Sequence, residues 1–277
     1  MTRSEGEWPD SSQVPVVSQV RASGATASGC ADDPWSAPIR ALVLDIDDTL
    51  IDTQAAMRAA GAQAAAVALP SLDPPTHQAI SDTYYDDHGG HFDAYTRGEL
   101  AFADQRRLRF EGSLRHLGLR ETHASSFGAY EVAYLEAFAQ VQRLFEDTSA
   151  LLAAAREREV AICFLTNSGA EQTAIKLAAV GLDGTGPVVT TDTLGVGKPD
   201  PRLFAHACEL AGAEPHTSLC VGDTLDTDVR GGLGAGMRVA WVCRTDRPEP
   251  RNAGWGTPID DPRVRIVTTL REVADLL

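Results

Sequence analysis

The chain has 277 residues, of which 43% are hydrophobic and 23% charged, and this composition argues against a wholly disordered or membrane-embedded protein. Its formal net charge of −15, without a local cluster of lysines and arginines, argues against nucleic acid as a partner. No apolar run is long enough to span a bilayer, and no basic stretch followed by an apolar segment opens the chain, so we expect no membrane partner and a cytoplasmic location.

The first 38 residues form a segment of distinct composition. Residues 1–38 are rich in Ser, Gly, Pro, Asp and Ala and show no sustained hydrophobic period. Segments of this kind bury too little apolar surface to offset the entropy lost on folding. We therefore predict a disordered or loosely attached N-terminal extension that takes no part in catalysis.

The first predicted strand covers residues 39–46, an apolar and β-branched run that ends among acidic residues. Asp45, Asp47 and Asp48 are crowded at this end, and neighbouring carboxylates repel one another. A solvated acidic turn is one explanation. A hard cation such as Mg2+, which takes oxygen ligands from one or two carboxylates, is the other. Both explanations are open for this segment alone.

The next 93 or so residues lack a comparable strand pattern. Alanine-rich and leucine/phenylalanine-spaced segments have the periodicity of amphipathic helices. They cover residues 54–69, 99–117 and 125–144. We predict a helical insert at residues 53–145.

Strand-like and helix-like segments alternate in the remainder of the chain, which predicts a parallel sheet covered by helices. The predicted strands are residues 160–165, 187–190, 218–221, 238–243 and 264–267, and the predicted helices are 170–179, 201–211, 227–235 and 270–277. Open sheets of this type bind ligands at the carboxyl ends of their strands. The residues that follow the apolar runs are therefore the candidates for a site.

Three later segments carry polar residues at such positions. Thr166 and Asn167 precede a helix, where they could hold a phosphoryl oxygen or serve only as helix caps. Lys198 follows a flexible glycine and precedes a proline that fixes the backbone, although many lysines are merely exposed charges. Asp223 and Asp228 belong to a group of three acids, and helix capping accounts for only one of them.

The four segments together are more specific than any one of them. In chain order they read D-x-D-x-T, Thr-Asn, Lys-Pro and G-D-x-x-x-x-D, each after a predicted strand. In this respect residues 39–245 resemble the haloacid dehalogenase superfamily. The resemblance implies an α/β fold with a three-layer, doubly wound, Rossmann-like parallel sheet in residues 39–52 and 146–277. It also implies that residues 53–145 are a helical cap domain of the C1 type, inserted after the first strand.

The resemblance further implies a role for each motif residue. Asp45 would attack phosphorus and become an aspartyl phosphate, while Asp47 would act as general acid and then base, with a pKa above that of a free aspartate. Mg2+ would be held by Asp45, the backbone carbonyl of Asp47 and Asp223, with Asp228 supporting it through water. Phosphate would be held by Thr166, Asn167 and Lys198, and Lys198 would also be catalytic, since it would neutralise the phosphate and keep Asp45 ionised.

These roles imply a Mg2+-dependent phosphatase acting on a small phosphorylated metabolite, such as a sugar phosphate or a nucleotide. Dehalogenation is disfavoured because Asp47 is present. A β-phosphoglucomutase-like phosphotransferase and a non-catalytic member that binds a ligand or partner are the alternatives.

The substrate and the oligomeric state are left open by the sequence. Residues 45–53 and 221–237 look most like the corresponding parts of N-acylneuraminate 9-phosphatases and related nucleotidases. Within the insert, Arg97 and Glu99 are the candidates for setting substrate specificity, because they lie in its most polar and aromatic segment.

Overall fold

A computed structural model describes residues 33–119, 125–244 and 259–277. The described strands form one sheet with the order β3-β2-β1-β4-β5-β6, and all neighbouring pairs are parallel. They are β1 (Ala41–Leu44), β2 (Ala161–Leu165), β3 (Val188–Val189), β4 (Ser218–Gly222), β5 (Arg238–Val242) and β6 (Val264–Val267). Because β1 lies between β2 and β4, the segments that follow these three strands emerge side by side at one edge of the sheet.

A set of helices lies between β1 and β2, as the insert prediction requires. They are α1 (Thr53–Ala68), α2 (Pro74–Asp86), α3 (His91–Thr96), α4 (Phe102–His116) and α5 (Phe127–Val141). Their buried face forms a separate hydrophobic cluster that includes Ala60, Tyr84, Phe110 and Tyr130. The two ends of the insert meet, because the backbone N–H of Asp52 donates to the carbonyl of Arg143 at 3.0 Å.

The later helices alternate with the strands. They are α6 (Thr148–Glu157), α7 (Ala170–Ala179), α8 (Thr191–Leu194), α9 (Pro201–Leu210), α10 (Arg230–Gly234) and α11 (Leu270–Asp275). A π-helical turn, Leu225–Val229, leads into α10.

Helices cover both faces of the sheet because successive strand residues point to opposite sides. On one face, Leu42 and Leu44 of β1 belong to a buried cluster with residues of α6, α7 and α11. On the other face, Val43 belongs to a second cluster with residues of α9 and with Val229, at the start of α10. This three-layer arrangement confirms the predicted α/β fold class.

The domain boundaries of the sequence analysis stay a prediction, although the described residues supply their setting. Residues 1–32 of the predicted extension lie outside the described residues. At its other end, Trp35 packs against the first hydrophobic cluster, and its indole Nε1 donates to the carbonyl of Pro262 at 2.8 Å.

Candidate active site

The candidate site lies at the carboxyl edge of the three central strands. Asp45 follows β1, Thr166 follows β2, and Asp223 follows β4. All three line a cavity of about 930 Å³ whose opposite wall comes from the helical insert. The strand order explains why they meet. Asp45 and Thr166 are 121 positions apart in the chain, but they follow β1 and β2, which are adjacent parallel strands.

Lys198 joins two of the carboxylates. Its ammonium lies 2.5 Å from Oδ1 of Asp45 and 2.6 Å from Oδ1 of Asp228, and all three side chains are buried. The backbone around Lys198 is fixed by Asn167, whose Oδ1 accepts from the Lys198 N–H at 2.6 Å and whose Nδ2 donates to its carbonyl at 3.1 Å. The side chain of Asn167 therefore positions the lysine.

Asp45, Asp223 and Asp228 form a three-acid cluster in which one carboxylate oxygen of each lies within 4.8 Å of the others. Lys198 contacts only Asp45 and Asp228, and with all three carboxylates ionised the cluster would carry two negative charges beyond that one ammonium. Burial and the charges of Asp228 and Asp47 raise the pKa of Asp45 to about 7 despite that ammonium.

The pKa of the other members responds to the same charges. Burial, followed by the charges of Asp45 and Asp228, raises the pKa of Asp223 well above its usual range. Burial alone would lower the pKa of Lys198, but Asp228 and Asp45 raise it, so the lysine stays charged. The cluster lacks two positive charges, which is the charge of one divalent cation.

Asp228 reaches this cluster because Gly222 has no side chain. The carboxylate of Asp228 accepts from the N–H of Thr224 at 3.0 Å, across the turn that follows β4. A Cβ atom on Gly222 would lie 2.3 Å from Cγ of Asp228. The glycine of the predicted G-D-x-x-x-x-D motif therefore has a steric function.

Asp47 does not join the three-acid cluster through its side chain. Its carboxylate binds the ammonium of Lys176, with Oδ1 at 2.5 Å and Oδ2 at 2.7 Å. The hydroxyls of Thr53, Thr166 and Ser168 also donate to it, at 2.8, 3.0 and 3.0 Å.

These contacts determine the ionisation of Asp47. Burial alone would raise the pKa of Asp47, but the Lys176 charge and the hydrogen bonds from Lys176, Thr53 and Ser168 lower it to about 2. The expectation of a pKa above that of a free aspartate is thus wrong for this arrangement, because it did not include a buried ammonium beside the carboxylate.

Lys176 was missed by the sequence analysis although a signal was available. On α7, Thr173, Lys176 and Leu177 are all buried. Their spacing of i, i+3 and i+4 marks one face of a helix, which is the core-facing face when it includes Leu177. A lysine on such a face is seldom buried without a partner, so its position indicated a nearby carboxylate.

The two specificity candidates of the insert lie elsewhere. Arg97 and Glu99 pair with each other through two hydrogen bonds, and their side chains are 58% and 57% exposed. Neither is among the residues that line the cavity. The insert residues that do line it include Phe92, Tyr95 and Arg106, so the structure gives no support for choosing Arg97 and Glu99.

The part of the chain that matches a known family contains most of the strands and motifs described above. A family model described as haloacid dehalogenase-like hydrolase matches residues 39–236. This range begins just before β1 and ends after the motif that contains Asp223 and Asp228.

Individual relatives match shorter parts of the chain. A phosphoserine phosphatase of Thermus thermophilus is 37% identical over 158 residues, which are 55% of this chain and 64% of the relative. An N-acylneuraminate-9-phosphatase of Rattus norvegicus is 34% identical over 113 residues, 38% of this chain and 43% of the relative. The chain therefore spans less than two thirds of the length of these curated relatives.

Solved structures match the fold over more of the chain. A HAD hydrolase of Bacillus subtilis bound to magnesium has a TM-score of 0.62 and 21% identity, over 86% of this chain and 98% of that one. A defluorinating L-2-haloacid dehalogenase has a TM-score of 0.67 and 20% identity, over 86% and 94% of the two chains. At these identities the likeness shows the fold alone.

One further observation concerns membranes. Of the helices in the described residues, none combines the length and the apolar character that crossing a bilayer requires.

Proposed function

Because this chain belongs to the haloacid dehalogenase-like hydrolases, we propose that it is a Mg2+-dependent phosphatase acting on a small phosphorylated metabolite. The observation that carries this proposal is the three-acid cluster with Lys198 at the tips of the central strands. The names of the curated relatives, a phosphoserine phosphatase and an N-acylneuraminate-9-phosphatase, support the same reaction class.

Asp45 is the nucleophile in this proposal. Lys198 holds Oδ1 of Asp45, and the carboxylate attacks phosphorus from the cavity side. One oxygen–phosphorus bond forms to Asp45, the ester bond breaks, and the alcohol leaves. Water then attacks the aspartyl phosphate and releases inorganic phosphate, so that one difficult displacement is divided into two.

Asp45, Asp223 and Asp228, with the backbone carbonyl of Asp47, are the proposed residues for holding Mg2+. Oxygen ligands and two uncompensated negative charges fit this hard divalent cation. When bound, Mg2+ supplies positive charge against the oxygens of the transferring phosphoryl group. Lys198 supplies a second positive charge from the protein itself, and Thr166, whose hydroxyl donates to Asp47 in this arrangement, lines the same cavity.

Asp47 is the proposed acid and base. In the arrangement described, it is ionised and bound to Lys176, which suits its function as the base that activates water. Protonation of the leaving group requires a protonated carboxyl group. Asp47 can supply that proton only if its contacts with Lys176 loosen, its pKa rises and it takes up a proton from solvent before the ester bond breaks.

Phosphate release from p-nitrophenyl phosphate, measured with and without Mg2+, tests the proposal. We expect Mg2+-dependent turnover in the wild type and essentially none in Asp45→Asn, which should remain folded because it keeps the shape of the side chain. Asp275→Asn, at the end of α11 and outside the cavity lining, is the matched control and should keep full activity.

Two results would reject parts of this scheme. Turnover by Asp45→Asn would remove the covalent mechanism, and activity unaffected by chelation of divalent cations would remove the metal. Acid-quenched protein should carry phosphate on Asp45 when a substrate is present. Transfer of that phosphate to a sugar phosphate in preference to water would favour the phosphotransferase alternative.

A further inference from the structure

Arg106 is a buried cation in the wall of the cavity, on the side formed by the insert. It lies in α4, its residue surface is only 4% exposed, and it lines the same cavity as Asp45 and Lys198. It is therefore placed to contact the part of a substrate that extends from the phosphate into the insert.

The guanidinium of Arg106 is only partly used by the protein. Its Nε donates to Oε1 of Glu131 at 3.1 Å. Its faces are covered by aromatic rings, with the central carbon 4.5 Å from the ring centre of Tyr134 and 5.7 Å from that of Phe102. Its Nη2 is buried and has no hydrogen-bond partner among the described residues.

Arg109, one turn further along the same helix, is a useful contrast. It also lines the cavity, but its Nε donates to the carbonyl of Tyr84 at 3.0 Å and its Nη1 donates to Gln105 at 3.4 Å. Arg109 therefore holds the insert together, whereas Arg106, which contacts the Tyr134 hydroxyl as well as Glu131, leaves its buried Nη2 without a hydrogen-bond partner.

An unpaired, buried guanidinium amino group is energetically costly, because the hydrogen bonds it made to water are lost and none replace them. Stacking between two rings occupies the faces of the guanidinium and leaves its edge for hydrogen bonds in the plane. An anionic group of the ligand would supply the missing acceptor.

The charge around Arg106 favours a ligand group with a single negative charge. Glu131 already balances part of the arginine charge, and Asp93 lines the same cavity, whereas Asp86 and Asp87 there are paired with Arg58 and Arg109. A second phosphate, with nearly two charges, would be repelled more strongly by these acids than a carboxylate would. A carboxylate can accept a charge-assisted hydrogen bond from Nη2 while Glu131 keeps Nε.

We propose that Arg106 binds a carboxylate at the non-phosphate end of the substrate, and hence that the substrate class is phosphorylated carboxylic acids. This inference rests on the proposed function as a phosphatase. It assigns the phosphate to Asp45 and Lys198, and the carboxylate to the insert. Arg106 is then the residue that selects the substrate.

Matched pairs of phosphomonoesters of increasing length test this assignment. Each pair differs in the carboxylate: phosphoglycolate with 2-hydroxyethyl phosphate, phosphoserine with phosphoethanolamine, and 6-phosphogluconate with glucitol 6-phosphate. We expect the wild type to prefer the carboxylate member of at least one pair by roughly tenfold to a hundredfold in kcat/KM, the range expected from a hydrogen bond to a charged group.

Arg106→Gln should remove that preference while turnover of the neutral member and of p-nitrophenyl phosphate stays near the wild-type level. Arg106→Lys, which keeps the charge without the fork, should retain part of the preference. The control is Arg107→Gln, because Arg107 is the next residue of α4 and its half-exposed side chain pairs with Asp104 and Glu111 at the surface. It should behave as the wild type.

The outcomes separate this inference from the proposed function. A protein that hydrolyses p-nitrophenyl phosphate but prefers no carboxylate member overturns the role of Arg106 and leaves the phosphatase intact. Equal losses for both members of a pair in Arg106→Gln overturn it as well. A protein inert toward every phosphomonoester overturns the proposed function, and this inference with it. The wild-type preference is measured without any variant, so poor folding of Arg106→Gln leaves the test in place.

Discussion

Lys176 determines the state of Asp47 through direct contact. Its side chain is 3% exposed, and its ammonium binds both carboxylate oxygens of Asp47 as well as the hydroxyl of Ser168. The folded-state pKa of Asp47 is lowered, so its ion pair stabilises the fold above the usual aspartate pKa, and this contribution is lost as the pH falls through about 2.

Lys176→Met should reverse the direction of this pKa shift. Without the ammonium, burial dominates, and the pKa of Asp47 should rise above its usual value. Carbon-13 NMR titration of the Asp47 carboxyl group in metal-free protein measures it directly. We also expect kcat to fall by tenfold to roughly a hundredfold, because the carboxylate loses its fixed position.

Lys176→Arg is the control for this substitution, since it keeps a positive charge at the same place. It should leave the pKa of Asp47 low. An unchanged pKa in Lys176→Met would mean that the hydroxyls of Thr53, Thr166 and Ser168 suffice to hold Asp47 ionised.

Gly222→Ala should damage the three-acid cluster without touching any charged group. The new Cβ would lie 2.3 Å from Cγ of Asp228 and 2.5 Å from its Cβ, so Asp228 must move away from Lys198. We expect a loss of about 1–3 kcal/mol in unfolding free energy. Mg2+ affinity, measured by calorimetry, should fall by about tenfold or more, since one carboxylate leaves the site.

Gly234→Ala provides the comparison. A Cβ on Gly234 meets no atom within 4 Å, and this residue ends α10. Its substitution should leave Mg2+ affinity unchanged and stability the same or slightly higher, because alanine favours helix. Wild-type Mg2+ affinity in Gly222→Ala would show that Asp228 is not needed to hold the metal.

At the scale of elements, the ion pair between Arg244 and Asp147 connects three segments beside the site. Arg244, after β5, binds both carboxylate oxygens of Asp147 at 3.0 and 3.1 Å and donates to the carbonyl of Thr49 at 2.9 Å. Asp147 also accepts from the N–H of Leu270, at the start of α11. The turn after β1 is thereby tied to α6 and α11.

Asp147→Ala should lower the unfolding free energy by about 3 kcal/mol at pH 7, because it leaves the charge of Arg244 buried without its partner. Burial alone would raise the pKa of Asp147, but hydrogen bonds from Arg244 and from the Leu270 N–H lower it. The contribution is therefore present above the usual aspartate pKa, and the difference from the wild type should shrink as the pH falls below it.

Urea unfolding at pH 7 and at acid pH measures this effect. Asp104→Asn is the control, because Asp104 pairs with Arg107 at a site where both side chains are about half exposed. Such exposed pairs contribute less than about 1 kcal/mol. Equal losses of unfolding free energy in the two variants would show that the Arg244–Asp147 pair stabilises the fold no more than an exposed ion pair does.

The described strands and helices show which secondary structure apolar sequence patterns predict and which they miss. Every described strand was predicted, because runs such as Ser218–Gly222 are buried on both faces and therefore read as continuous apolar segments. Helix α2 was missed, although Asp73 caps it and Pro74 occupies its first turn, where a missing N–H costs nothing.

Contacts between residues far apart in the chain limit how much of the candidate site can be predicted from the sequence. The sequence motifs predicted Asp45, Lys198, Asp223 and Asp228 as residues of one site. The order of the parallel strands explains why they lie close together. The binding of Asp47 by Lys176 joins residues 129 positions apart; the buried face of α7 indicates that the lysine has an acidic partner, but not that this partner is Asp47. The chemistry of single residues was readable, whereas the environment that sets their pKa was not.

At the scale of the whole molecule, charge connects metal binding with pH. The protein carries a net charge of −15, and within it the three-acid cluster retains two negative charges after pairing with Lys198. Raised carboxylate pKa values mean that the metal-free cluster destabilises the fold more as the pH rises through them. A divalent cation removes this repulsion.

Mg2+ should therefore bind more tightly at pH 8 than at pH 6. With a pKa of about 7, Asp45 carries a proton at pH 6 that the metal must displace, which corresponds to a change of roughly tenfold in apparent affinity over this range. Calorimetry in buffers with different ionisation enthalpies measures both the affinity and the proton released. The rise in Tm on adding Mg2+ should also be larger at pH 8.

An affinity independent of pH, with no proton released at pH 6, would contradict this coupling. Asp223→Asn is the informative comparison, because it removes one of the two excess charges. Its metal-free form should be more stable than the wild type at pH 8, and its Mg2+ affinity should be lower at both pH values.

The junction between Asp52 and Arg143 gives the molecule a modular construction. The chain leaves the sheet and returns to it at a short antiparallel bridge, in which the N–H of Asp52 donates to Arg143 and the N–H of Phe145 donates to Leu50. We therefore expect that about ninety residues can be exchanged without rerouting any strand. Grafting a different set of helices at this junction should change which compounds fit while the proposed catalytic carboxylates stay in place. The insert could therefore change the choice of substrate while the sheet keeps the chemistry, because the two parts of the chain meet at this junction.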